Sequence, residues 1–288
     1  MTSPLTSRAA RFRDLNKAGR LLLPNAWDAA SARVFEAAGF GAIGTTSAGI
    51  AYAEGFRDGE RMGRDRMVRA VARVVGAVSV PVTADIEGGY GPGAEDVAAT
   101  VDAVLDAGAA GVNLEDADHR AGSTQLLAIA DQCRRIAAAR EVAARRGVAL
   151  VINARTDTFL LNPAAGAAER IAMTVERGSR YLEAGADLIF VPLLTDPAIV
   201  RPLAERMPGP ISLMALPGAP DARDLFDAGA ARVSIGQMGM LAALGTVRLI
   251  AAELIQHGTW RSIERTFYGF AEAEELFSGR EPANEHSE

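Results

Sequence analysis

The chain has 288 residues, 49% of them hydrophobic and 23% charged, which suits one sizeable core and offers no uninterrupted apolar run of about 18 residues to span a bilayer. A formal charge of −6 excludes the broad basic face that nucleic acid or an anionic membrane would need. A single lysine (Lys17), three histidines without metal-ligand spacing and a lone Cys133 set aside Schiff-base chemistry, phosphate-loop nucleotide binding, zinc and internal disulfides.

The start, MTSPLTSRAARFR, lacks the apolar centre of a secretion signal, so a cytoplasmic location is expected. From Leu21 onward, short β-rich runs alternate with helical stretches. They are LLLPNAW from Leu21, GAIGTTS from Gly41, PVTADIE from Pro81, GVNLED from Gly111, LVINARTD from Leu150, DLIFVPL from Asp187, ISLMA from Ile211 and RVSIG from Arg232. Eight strands with helices between them predict an α/β fold, a parallel (β/α)8 barrel of the TIM type. In EDVAATVDAVLDAG, Val97, Val101, Val104 and Leu105 share one helical face, and Gly108 stands where a C-terminal cap belongs. The same helix-end, glycine, strand corner recurs at Gly39, Gly185 and Gly229. Cys133, in DQCRRIAAAR, reads as a small buried residue. The whole chain, 1–288, reads as a single domain, with the barrel over about 15–256 and a helical extension over about 257–280. That surplus helix must bury its apolar side, which predicts a homodimer or homotetramer. The final EPANEHSE reads as a disordered tail.

In such a barrel the C-terminal ends of the strands form the active face. Strand parity puts Thr83, Asp85 and Glu87 on one side, and likewise Asn113 with Glu115, Asn153 with Arg155 and Asp157, Asn25 with Trp27, and Thr45 with Ser47. Three inward carboxylates on two strands repel one another unless a cation sits among them, and oxygen-only ligands favour Mg2+, with Mn2+ possible. Asp85, Glu87 and Glu115 are therefore the candidate metal ligands. Two alternatives stay open: Asp85 and Glu87 pair with Arg155 and only brace the rim, or Asp116 rather than Glu115 is the working acid. Arg155 offers a bidentate grip on a substrate carboxylate. The small residues after the second strand, TTSAGIAYAEG, would let the backbone N–H groups of Ser47, Ala48 and Gly49 form an anion nest. The charged stretch GFRDGERMGRDR reads either as a solvated loop or as a lid that brings Asp58 over the site.

In order, NAWDAASARVFEAAGF, TTSAGIA, RDGE, ADIEGGYG, GVNLED and INARTD resemble the isocitrate lyase and phosphoenolpyruvate mutase superfamily over about residues 25 to 236. The resemblance implies a barrel whose C-terminal helix is swapped between subunits, magnesium on Asp85 with Glu87 standing where an aspartate is usual, and Glu115 reaching the metal through water. It also implies that Ser47, Ala48 and Arg155 hold a substrate's carboxylate and oxo groups. Trp27, Thr45, Gly49 and Asn113 complete the expected substrate-binding set, and Asp58 and Arg155 are the expected catalytic residues. The departures are specific. The cysteine-bearing KKCGH-like loop of the isocitrate lyases is replaced by EDADHRAGSTQ, where only His119 offers a substitute proton donor, and Val191 and Pro192 stand where those lyases carry a glutamate. The expected activity is thus a magnesium-dependent lyase on a small 2-oxo or 2-hydroxy di- or tricarboxylate, oxaloacetate-like, working through an enolate by decarboxylation or carbon–carbon cleavage. The alternatives are a carbon–phosphorus enzyme (phosphonomutase or phosphonopyruvate hydrolase) and a non-catalytic oxo-acid binding protein.

Overall fold

The computed structural model describes residues 3–118, 125–162 and 164–278. Ser3 caps a first helix, α1 (Pro4–Ala18), its hydroxyl accepting from the Thr6 amide. Then come β1 (Leu21–Leu23), β2 (Asn25–Ala26), α2 (Ala29–Ala37), β3 (Ile43–Thr45), α3 (Ser47–Ala53), α4 (Arg64–Ala77), β4 (Val82–Asp85), α5 (Ala94–Asp106), β5 (Gly111–Glu115) and α6 (Ile129–Arg145). The second half runs β6 (Val151–Arg155), α7 (Thr158–Leu161), α8 (Ala167–Glu183), β7 (Leu188–Val191), α9 (Pro197–Arg206), β8 (Ile211–Met214), α10 (Ala222–Asp227), β9 (Ala230–Ser234), α11 (Met238–His257), α12 (Arg261–Thr266) and α13 (Phe270–Phe277).

Every strand pair is parallel, in the order β1-β9-β8-β7-β6-β5-β4-β3-β2. The expected first strand is two segments, because Pro24 has no N–H to give a ladder. β1 pairs with β9 and β2 with β3, so this one broken strand joins both ends of the sheet and the ring is nearly closed. The fold is a TIM-type α/β barrel. The predicted helical face of α5 is buried at Val97, Val101, Val104 and Leu105, packed outside strands that present Ala84, Val112 and Leu114. All four corner glycines adopt positive φ, from 89° at Gly108 to 113° at Gly229, a region a side chain would strain.

α1 closes the N-terminal end of the barrel. Its Phe12 is fully buried, Arg13 pairs with Asp187 ahead of β7, and Arg8 donates to the carbonyl of Val78 ahead of β4. A Cβ on Gly111 would lie 2.8 Å from both the Phe12 ring and Thr83 Oγ1. Gly111→Ala is therefore expected to cost about 1–3 kcal/mol in denaturant unfolding; a loss below about 0.5 kcal/mol would show this end to be loosely packed. Deeper in the lumen, the buried Arg232 guanidinium donates to Ser212 Oγ and Asn113 Oδ1, and burial pushes its pKa down to about 9.

At the other end of the chain, α11 buries only Met240 and exposes Val247, Leu249 and Ile255. By length and composition it could cross a membrane, a property hidden from run-counting because Arg248 and Glu253 interrupt it. α13 packs on α2 of its own chain, with the Arg33 guanidinium over the Phe277 ring, so the subunit exchange implied by the family resemblance is not shown. Cys133 is half-buried rather than buried, its thiol donating to the Arg180 carbonyl.

Candidate active site at the C-terminal rim

β3 and β4 lie side by side and end together, which brings Ser47 to Asp85. The Asp85 amide donates to Thr45 Oγ1 at 2.9 Å, and Asp85 Oδ2 accepts from the Ser47 amide (3.1 Å) and hydroxyl (2.8 Å). The stretch expected to be a flexible anion nest is instead the start of α3, capped by Thr46, whose hydroxyl takes the Gly49 amide. Of the nest's N–H groups, that of Ser47 does meet an anion, but the anion is Asp85. Gly49 serves packing: a Cβ there would stand 2.6 Å from the Thr46 methyl and 3.1 Å from Trp27.

Parity fails one step past the strand. β4 ends at Asp85, and Glu87 takes a left-handed φ of 50°, so strand alternation does not set its direction, although it lines the rim cavity. Glu87 Oε2 accepts from the amides of Gly59 (2.9 Å) and Glu60 (2.5 Å), and Oε1 accepts from the Tyr90 hydroxyl (2.7 Å). Burial raises the Glu87 pKa to about 7; the Tyr90 and Glu60 hydrogen bonds oppose this, while the charges of Asp58 and Asp85 add to it.

β5 and β6 pair in register, setting Glu115 opposite Arg155. Arg155 Nη1 meets Glu115 Oε2 at 2.5 Å, and Nε and Nη2 grip both oxygens of Asp157 at 2.6 and 2.9 Å. Burial works against the guanidinium charge, but Glu115, Asp157 and Asp85 outweigh it and raise its pKa. A guanidinium has five N–H groups, so these two partners leave donors for a ligand carboxylate. Asp157 lies beyond β6, preceding α7, so it too escapes the strand alternation.

Glu115 and Asp116 differ in what each touches. Asp116 is fully buried and accepts from Thr156 Oγ1, the Asp157 amide, Arg177 and the Tyr181 hydroxyl, all within 3.1 Å. Burial pushes its carboxyl up, against the pull of those donors. Asp116 braces the scaffold, and Glu115 faces the cavity. That cavity, about 160 Å³, is lined by Ser47, Asp58, Glu87, Glu115, Arg155 and Asp157, with Leu160 and Leu161 as its apolar wall. A larger hollow of about 690 Å³ beside it, past Ala117, holds Glu60, Arg134 and Arg135, but none of the rim acids of β4 and β5.

Several predicted substrate contacts have other duties. Asn113 Oδ1 accepts from Asn153 and Arg232 in the lumen. Thr45 holds the Asp85 backbone, and Asn25 ties Thr45 to the amides of Ile235 and Gly236. Trp27 packs against Gly49 and Gly239 and does not line the cavity. Ala48 is buried in α3. His119 and the tail EPANEHSE lie outside the described residues. Sequence reasoning missed Tyr90, whose only signal was an aromatic ring with a polar tip inside the glycine turn EGGYG, and the Arg177–Tyr181 bracket around Asp116.

The family model for phosphoenolpyruvate phosphomutase matches residues 12–255. The chain belongs to this family. A Mycobacterium tuberculosis protein of uncharacterised function is 37% identical over 246 residues, covering 83% of this chain and 88% of its own. The 2-methylisocitrate lyase of Bacillus subtilis is 32% identical over 70% of this chain and 65% of its own. Phosphonopyruvate hydrolase, in a crystal structure with oxalate and Mg2+, superposes with a TM-score of 0.80 at 26% identity, covering 93% of this chain and 94% of its own. These relatives thus include a lyase, a mutase family and a hydrolase, the last in a crystal structure that holds Mg2+.

The rim fits such a metal by its chemistry. Asp58, Glu87 and Glu115 line one cavity beside Asp85; burial chiefly raises the Glu87 pKa, with the charges of Asp58 and Asp85 adding to it, and a divalent cation would relieve the repulsion among such acids. Among the described residues no three acids, histidines or cysteines form a ready-made metal cluster, so these groups would have to draw together. Arg155→Lys is expected to raise KM for an acid substrate about tenfold through loss of the fork. An unchanged KM would assign Arg155 to holding Glu115 and Asp157 alone.

Proposed function

We propose that this protein is a magnesium-dependent carbon–carbon lyase of small 2-oxo or 2-hydroxy di- or tricarboxylates, with an oxaloacetate-like acid as substrate and decarboxylation or C–C cleavage as the reaction. The observation that carries the reading is a small cavity in which carboxylates for a metal and a guanidinium for a carboxylate meet. A metal bound there supplies Lewis-acid polarisation of an oxo group. Arg155 binds and orients the substrate carboxylate, Ser47 holds Asp85 in place, Leu160 and Leu161 exclude water on one side, and Asp58 stands at the opening. Decarboxylation needs no proton donor until the enolate is protonated, so it tolerates the absence of a KKCGH-like cysteine better than aldol cleavage does. Asp85 and Glu115 are the acids assigned to the metal, Mg2+ or Mn2+, with Glu87 standing beside them at the rim.

The test is an NMR-monitored panel of 2-oxo, 2-hydroxy and phosphono acids incubated with the enzyme and magnesium. Magnesium-dependent loss of an oxaloacetate-type acid is expected. Turnover of phosphonopyruvate with none of the carbon acids would establish the C–P reading, and tight binding without any turnover would establish a binding protein.

The exposed apolar side of α11 supports a homo-oligomer, with a second copy covering Val247, Leu249 and Ile255. A bilayer is disfavoured, because a charge such as Arg248 near the centre of a span costs about 3 kcal/mol; a cytoplasmic location is part of the same proposal. Leu249→Asp is expected to shift the light-scattering mass from dimer or tetramer to monomer; an unchanged mass would place the interface elsewhere.

A further inference from the structure

Among the described residues, three of the five non-glycine residues with left-handed φ meet in one contact: Glu60 (60°), Glu87 (50°) and Tyr90 (60°). Such backbone is unfavourable for residues with a Cβ and persists where surroundings impose it. Here the imposing element is a closed ring of hydrogen bonds. Gly59 and Glu60 donate their amides to one oxygen of Glu87, Tyr90 donates its hydroxyl to the other, and the Tyr90 amide donates to Glu60 Oε1 at 2.6 Å. Segment 57–60 and the turn after β4 therefore each hold the other. Glu87 is only 5% exposed, and both of its oxygens are engaged.

We propose that Glu87 is the anchor that docks segment 57–60, and with it Asp58, over the rim, that Tyr90 positions its carboxylate, and that Glu87 is not a direct metal ligand while the segment is docked. This sharpens the metal assignment given above, where Glu87 stood beside Asp85 and Glu115. It also gives a physical reason for glutamate at this position: an aspartate is shorter by one methylene, roughly 1.5 Å of reach, and could not span to the segment's amides from the same backbone. The consequence is that Asp58 is held at the cavity while this ring is closed. The inference rests on the proposed reading of the rim only for what Asp58 does once docked.

The test uses the full chain. In metal-free protein, Glu87→Asp is expected to speed amide hydrogen exchange across residues 58–61 about fivefold or more, with faster tryptic cleavage after Arg57 and Arg61, and Tyr90→Phe to give a smaller acceleration. By calorimetry, Glu87→Ala is expected to retain magnesium binding with less than about a tenfold loss, whereas Asp85→Ala abolishes it. Unaltered exchange in both Glu87→Asp and Tyr90→Phe, or loss of magnesium binding in Glu87→Ala as complete as in Asp85→Ala, overturns the anchor. Because these readouts need no turnover, they separate failure of the anchor from failure of the proposed lyase activity. Glu87→Gln replaces Glu87→Ala should the latter not fold.

Discussion

Asp85→Ala is expected to abolish magnesium binding and to lower kcat/KM at least about a thousandfold. Asp85 is the acid with the least structural alternative. Its carboxylate is oriented by two donors from one residue, Ser47, and it lies at the end of β4 beside the cavity, whereas Glu87 is tied to segment 57–60 and Glu115 to Arg155. The substitution leaves a serine hydroxyl and amide at the edge of a polar cavity, where water can satisfy them, so the fold should survive. Circular dichroism and the oligomer mass confirm that. Unchanged magnesium dependence in a folded Asp85→Ala protein would refute the metal assignment.

Its neighbour in the same acid set behaves oppositely. Asp116→Ala is expected to destabilise the protein by about 3–5 kcal/mol, because the Arg177 guanidinium, largely buried, would be left without its anion while Tyr181 and Thr156 lose an acceptor. Asp116→Asn keeps the shape and one acceptor oxygen and should cost less. Urea unfolding with an unchanged m-value measures both. A cost under about 1 kcal/mol for the alanine variant would show that the four hydrogen bonds are not what holds the β5–β6 rim, and would return Asp116 to candidacy as a working acid.

These two carboxylates mark how far the sequence could be read. The barrel was legible because its signals are local. The corner glycines at Gly39, Gly108, Gly185 and Gly229 each set a helix end a few residues ahead of a strand, and the Val97–Leu105 face follows from helical period alone. Alternation applies to Asp85, Glu115 and Arg155 because all three lie within strands. Glu87 and Asp157 line the same cavity, but from backbone that turns beyond the strand ends, where alternation no longer applies. The bonds that decide between Glu115 and Asp116 come from Arg177 and Tyr181, 61 and 65 residues further on, and no periodicity reaches that distance. The stretch expected as a nest at Ser47 is a helix start, and the anion that its Ser47 amide meets, Asp85, lies on a strand 38 residues away. α1 carried no motif, although its Phe12 seals one end of the barrel.

The central claim is that a metal and an oxo-acid are bound together at this rim. The most direct measurement is a calorimetric titration of oxalate, a planar dicarboxylate that mimics the enolate of pyruvate, into the protein with and without magnesium. Saturable oxalate binding that requires magnesium and is lost in Asp85→Ala is the predicted result. Oxalate binding of equal strength in the presence of a chelator, or none under either condition, would contradict it.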